Sequence, residues 1–268
     1  MKRFFVAAVC VLAGLTATAA TTGAAPANSA AAASTAPSWA GWYAGGNVGY
    51  GWGGSTGTGI ELTDPIHIFG AYAALGGFRF PSVLPKGAVG GGQFGYNFQT
   101  GSVVWGAVAD FQFSGMKASD TVNVPALGAG VGAFGSETQS HSAKIEWFGT
   151  VRGRIGYAFN NFLPYISGGL TYGKVSSTLN LLVDPAFSGF MMAGQSSTTR
   201  AGWTIGAGFD YALTNNWSVG LGYLYLDLGR DTVSATPQNL LLNTSGTVIA
   251  MNQHFTANIL RAVVNYKF

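Results

Sequence analysis

The stretch NILRAVVNYKF, residues Asn258 to Phe268, decides the fold. Counting back by twos from Phe268 gives Tyr266, Val264, Ala262 and Leu260, with Lys267, Asn265 and Arg261 among the positions between. Period-two alternation of this kind is a strand with one apolar and one polar-tolerant face. A helix would set Arg261, Asn265 and Phe268 side by side and leave no apolar stripe. Soluble domains usually end in frayed, polar residues. An aromatic residue ending a strand therefore predicts a strand that closes a sheet.

Composition narrows the solvent. Charged residues make up 9% of the 268, aromatics 13%, and glycine occurs 41 times, whereas a soluble domain carries about 25% charge. After the N-terminus no run of about 18 apolar residues occurs, so helical spans are excluded. Low charge without a long apolar run points to a membrane β-barrel, whose alternation hides its hydrophobicity from window averages. The formal charge of +3 falls to +1 once Lys2 and Arg3 are removed. Along the sequence the remaining cations form no basic cluster, so nucleic acid is not an expected partner.

Met1 to Ala19 joins Lys2-Arg3 to an apolar stretch from Phe4 to Leu15 and then Ala17-Thr18-Ala19. It reads as a signal peptide, residues 1–19, cleaved after Ala19 or at a neighbouring alanine. Cys10, the sole cysteine, lies in that apolar stretch, so the exported chain uses no disulfide or thiol chemistry. Residues 20–41 read as a disordered Ala/Ser/Thr/Pro-rich periplasmic tail, and residues 42–268 as the barrel domain.

Within that domain the two-residue rhythm recurs eight times: Trp42 to Trp52, Val89 to Gln99, Trp105 to Phe113, Ile145 to Phe159, Tyr165 to Tyr172, Trp203 to Tyr211, Trp217 to Tyr225, and the opening stretch. Short turns at Thr100-Gly101, Asn160-Asn161 and Leu213 to Asn216 alternate with long connections at Gly53 to Ala88, Met116 to Ala143, Lys174 to Thr199 and Gly229 to Gln253. The predicted fold is all-β: an eight-stranded antiparallel transmembrane up-and-down barrel with short periplasmic turns and long extracellular loops. Register in the fourth strand is pinned, because a one-residue slip would turn Arg152 and Arg154 to lipid at roughly 2 to 4 kcal/mol each. Trp42, Trp52, Trp105, Trp147, Trp203 and Trp217 sit at strand ends, as interfacial girdles require.

The segments WYAGGNVGYGWG (42–53), GQFGYNFQ (92–99), FLPYISGGLTYG (162–173), GWTIGAGFDYA (202–212), NWSVGLGYLYLDLG (216–229) and the last strand resemble the small outer-membrane β-barrel proteins of Gram-negative bacteria. Specifically, they resemble the opacity-protein-like and porin-annotated surface antigens of alphaproteobacteria. The resemblance implies an eight-stranded barrel in the outer membrane among lipids and lipopolysaccharide. It also implies an assembly signal in the last strand (Leu260, Tyr266, Phe268) read by the barrel assembly machinery. Members often carry an inward acidic residue in strand seven, where this chain has Gly222.

Inward parity collects Asp110, Glu146, Arg152, Arg154, Asp210 and Arg261 into a predicted lumen charge network, since unpaired charge inside a low-dielectric wall is costly. Inward glycines, among them Gly91, Gly106, Gly169, Gly208, Gly220 and Gly222, contribute no volume and predict continuous water and a narrow path for small ions past that network. Other patterns carry less. Gly49 to Gly54 matches G-x-G-x-x-G but lies in an alternating strand without the strand-to-helix turn a phosphate site requires. Glu61, Asp64 and His67 could ligate a metal, and Ser140-His141 or His254 could serve a lipid-modifying barrel enzyme, but no Ser-His-Asp spacing supports catalysis. Asn216-Trp217-Ser218 and Asn243-Thr244-Ser245 match sequons and read as a turn and a loop. The reading is a non-enzymatic structural barrel that supports the envelope and displays loops, without cofactor or metal. The alternatives are a diffusion porin, a lipid-modifying barrel enzyme and a soluble adhesin.

Overall fold

The computed structural model of the protein describes residues 37–65, 80–125, 136–183, 191–238 and 246–268, without the side chains of 54–58 and 183. Eight strands form: β1 Gly41–Thr63, β2 Lys86–Thr100, β3 Val103–Val124, β4 Glu137–Tyr157, β5 Phe162–Val183, β6 Met191–Ala212, β7 Trp217–Pro237 and β8 Val248–Lys267. They pair antiparallel, each with its neighbours in sequence, and β8 closes on β1. That seam runs from Tyr43↔Lys267 to Thr63↔Val248. Its lower end is held by the Phe268 amide, which donates to the Trp42 carbonyl at 3.0 Å.

The aromatic girdles mark the membrane. Trp42 and Trp52 are 53% and 43% exposed on the lipid face of β1. The ten residues separating them extend about 33 Å along the strand, or about 23 Å vertically at a 45° tilt, the height of an outer-membrane apolar band. Rings meet along the lower rim, Trp42 on Phe94 at 5.2 Å and Phe98 on Trp105 at 4.4 Å. Another group, Phe111 on Trp147 at 5.5 Å, marks the upper rim.

Two expectations about extent are corrected. The strands do not stop at the upper girdle, and much of the four regions expected as long loops is strand. Above the girdle the alternation reverses phase. In β5 the sequence runs apolar-out through Ile166, Leu170 and Tyr172, then apolar-in through Val175, Leu179 and Leu181, with Ser176, Thr178 and Asn180 outside. Water replaces lipid as the outer solvent, so the polar residues change sides. The tail is corrected at its end: Trp39 is buried against Val104, Leu163 and Ala212, closing the bottom of the barrel. Its amide donates to Gln99 Oε1 at 2.7 Å. One large ring gives Ser38–Gly41 the bulk to be ordered. The expected signal peptide and residues 20–36 lie outside the described residues.

The third correction is local. Against β5 the register shifts by one between Ile145 and Trp147, so β4 carries an extra residue there, Glu146, while against β4 it is β3 that carries the extra residue, between Phe113 and Met116; the facing pattern of β4 inverts above that point. Ile145, expected on the lipid face, is buried in the lumen, and His141 turns inward with it. A second bulge lies in β7 between Asp227 and Arg230, with Gly229 at φ 77°. A left-handed backbone at this point favours glycine.

The candidate functional site, a layered lumen

Five of the six residues expected in the lumen network meet there. Arg152 donates to Asp110 Oδ2 at 2.7 Å, Arg261 to the same oxygen at 3.2 Å, and Arg154 to Asp210 Oδ2 at 2.7 Å. Further donors are satisfied by Thr150 and Ser167 around Arg152. The Arg154 guanidinium carbon lies 4.0 Å from the centre of the Tyr165 ring, a cation–π contact, and its NH1 reaches Tyr43 Oη at 3.3 Å. Three arginines share two aspartates, so the layer carries one uncompensated positive charge.

Glu146 is not among them. Because the bulge places it outside, it accepts from Lys174 at 3.1 Å and Ser176 at 3.1 Å, with Lys144 at 3.6 Å. The hydrogen bond from Lys174, then that from Ser176, holds its carboxyl below the usual range.

Several inward glycines face a long polar side chain in the register: Gly49 and Gly222 flank Arg261, Gly169 faces Arg152, Gly106 faces Arg154 and Asn97, and Gly91 faces Gln112. A Cβ on Gly169 would come within 2.8 Å of the Arg152 Cα, and one on Gly49 within 2.9 Å of Arg261 Cα. The nearest atoms are the backbone carbonyl oxygens of Val151 and Leu260, so the missing methyls let the neighbouring strands approach closely beside the arginines. At Gly222, where the resemblance points to an inward acid, β7 offers none, and Asp110 on β3 takes Arg261. A cavity of about 30 Å³ remains near the bottom beside Tyr43, Asn97, Arg154 and Asp210, enough for about two waters.

Above the charges the lumen is apolar. Along β8, Arg261 gives way to Ile259, Ala257 and Phe255, then Gln253, then Met251 and Ile249, all buried. Along β4, Arg152 gives way to Phe148, Ile145 and Ala143, then His141 and Gln139. The first apolar layer also holds Met116, Val175, Leu224, Leu226 and Leu228. A second, with Leu179, Leu181, Met192 and Val233, lies above the polar one. The second apolar layer was not expected from the sequence, because Leu179, Leu181, Met192 and Val233 fall in segments taken as loops, whereas Phe148, Ile145, Leu224 and Ile259 of the first layer fall in expected strands.

The chain before β2 enters from above. Val83 is buried in the first apolar layer, Phe80 packs against the second, and the Pro85 carbonyl accepts from the Gly53 amide at 2.9 Å. His141 holds this strap. Its Nδ1 is 2.8 Å from the Pro81 carbonyl, which can only accept, so Nδ1 carries the proton; Nε2 lies 3.2 Å from Ser177 Oγ. Burial pushes the His141 pKa below its ordinary 6.5. The folded ring therefore stays neutral while the unfolded one protonates, so its contribution is full above pH 6.5 and is lost as pH falls from there through the folded pKa. Heat-modifiable gel migration should show a lower unfolding temperature at pH 5.5 than at 7.5, and His141→Gln should flatten that difference.

The remaining candidates lie apart. Glu61 accepts from Asn252 at 3.2 Å and Asp64 from Thr247 at 3.4 Å, while His67 is outside the described residues. Among the described residues no three His, Cys, Asp or Glu side chains gather as a metal site would need. His254 lies on β8, with Nε2 2.8 Å from Asp227 Oδ1. His141 and His254 thus belong to different layers and faces. Gly49 to Gly54 run within β1. Asn216 sits in the β6–β7 turn and donates to the Lys267 carbonyl at 2.9 Å; Asn243 is outside the described residues. Leu260, Tyr266 and Phe268 are exposed on the lipid side of the seam.

A closed barrel with a girdled lipid face, short turns at one end and a charged, filled interior defines a transmembrane β-barrel of the outer-membrane type. Residues 16–268 match the family described as outer membrane protein beta-barrel domain, and the chain belongs to it. It is 36% identical over 233 residues to the 31 kDa outer-membrane immunogenic protein of Brucella melitensis, covering 86% of this chain and 84% of that one. It is 34% identical over 139 residues to the 22 kDa outer membrane protein of Rhizobium leguminosarum bv. viciae, about half of each. Among solved structures, Neisserial surface protein A is similar with TM-score 0.39 at 13% identity, covering 85% of this chain and 97% of that one. The outer membrane protease OmpT from Escherichia coli gives 0.44 at 12%, with the same coverages. The protein is located in the outer membrane.

Proposed function

We propose that this protein is a closed, non-enzymatic barrel that supports the outer membrane mechanically and displays its upper strands and connections at the cell surface. The observation that carries this reading is the sequence of lumen layers: a charged layer, then two apolar layers separated by a polar one, leave no continuous polar path among the described residues. An ion entering the apolar layers would lose its hydration with nothing to replace it. The scattered placement of His141, His254 and the acidic residues supports the absence of catalysis. The last strand, with Leu260, Tyr266 and Phe268 along its lipid face, is the segment offered to the assembly machinery. Planar-bilayer recording of the refolded protein tests the closed lumen. The expected result is no step conductance; steady steps would instead favour a narrow pore or a diffusion porin.

A further inference from the structure

The chain has six lysines, and four of them fall on one band of the outer wall. Lys86 of β2 is paired in register with Lys117 of β3, and Lys117 with Lys144 of β4. Lys174 of β5 joins them through Glu146. Like charges directly opposite one another across strands destabilise a sheet. Lys86 and Lys117 have no ion-pair partner among the described residues, and Glu146 is the one acid engaged with the band there. Four cations against one anion, in a chain of 9% charge, are a feature the isolated barrel does not need.

Their height identifies the ligand chemistry. Lys174 lies two residues above Tyr172, and Lys117 four above Phe113, the last lipid-facing aromatics of their strands. The band therefore sits just outside the apolar slab, at the level of lipid headgroups. Ser119 and Ser142 are also paired in register, two residues above Lys117 and Lys144, so two ammonium groups and two hydroxyls form the corners of a shallow groove on the wall. Hydroxyl donors beside ammonium groups suit phosphate oxygens.

We infer that β2 to β5 bind the phosphorylated headgroup of an outer-leaflet lipid, one phosphate between Lys117, Lys144, Ser119 and Ser142 and a second reached by Lys86 or Lys174. The acyl chains then run down over Phe113 and Trp147. This inference rests on the envelope role proposed above, but its test reads binding and not conductance, so a conducting barrel would leave it intact.

The test is titration of the refolded protein in zwitterionic micelles, followed by tryptophan fluorescence. Three probes are used: bis-phosphorylated lipopolysaccharide, the same lipid after phosphatase treatment, and phosphatidylglycerol. The phosphorylated lipid should bind best. The Lys117→Gln/Lys144→Gln variant should weaken that binding about tenfold or more, from the loss of two charge-assisted contacts, and Glu146→Gln should tighten it. Equal binding of phosphatidylglycerol would keep the site and assign it to phospholipid headgroups. Equal binding of the dephosphorylated lipid, or an unchanged lysine variant, would overturn it. Should the lysine variant fail to show heat-modifiable migration, Ser119→Ala/Ser142→Ala answers the same question and should weaken binding severalfold.

Discussion

Replacing Asp110 with alanine should cost the folded barrel about 3–5 kcal/mol, the penalty for stranding buried charge. Its carboxylate is fully buried and receives both Arg152 and Arg261 on one oxygen, so its loss leaves two guanidinium groups without a counterion. Arg261→Met should behave differently. It leaves the shorter Asp110–Arg152 pair intact, removes the layer's surplus charge, and discards an Nε that has no partner. Its cost should stay below about 1 kcal/mol, within the range of a well-packed hydrophobic replacement of a buried ion. Urea unfolding in lipid vesicles measures both. Similar losses for the two variants would show that Arg261 supports the layer as strongly as Asp110.

Phe148→Ala should cost a further about 3–5 kcal/mol, the range for emptying a buried aromatic site. The Phe148 ring is 1% exposed at the centre of the first apolar layer, with Phe255 beside it in the same layer. The second layer, through Leu179, Leu181 and Met192, lies above and is untouched by the change. The two layers act in series, so Phe148→Ala should lose stability while remaining non-conducting in a planar bilayer. Conductance from this single variant would mean that the upper layer does not seal.

What the sequence made legible follows from where its alternation keeps one phase. From Trp42 to Trp52 and from Leu260 to Phe268 the lipid face carries no polar side chain but tyrosine, and the strands, their order and the inward aspartates and arginines could be read directly. Legibility stops where the outer solvent changes. Val175-Ser176-Ser177-Thr178-Leu179 alternates as well as Ile166-Ser167-Gly168-Gly169-Leu170 does, but in the opposite sense, so the phase reversal looks like a loop. Glu146 was misplaced for a related reason. Nothing at Ile145-Glu146-Trp147 marks the extra residue, and the bulge emerges from pairing with β5, which a single strand cannot reveal. What the inward glycines leave empty could not be read, because volume depends on the register partner. Gly49 and Gly222 look like voids until Arg261 is placed between them.

The strands that continue past the upper girdle have a consequence for recognition from outside. Along β5 and β6 the residues facing the medium are every second one, and neighbours on that surface come from different strands: Ser176 touches Ser197 at 3.1 Å although 21 positions separate them. The patch an antibody would meet is a mosaic drawn from several strands, with the intervening residues hidden in the lumen. A short peptide copied from any one strand would present both faces at once and lack the adjoining rows, so antibodies raised against it would recognise the unfolded chain better than the native cell surface.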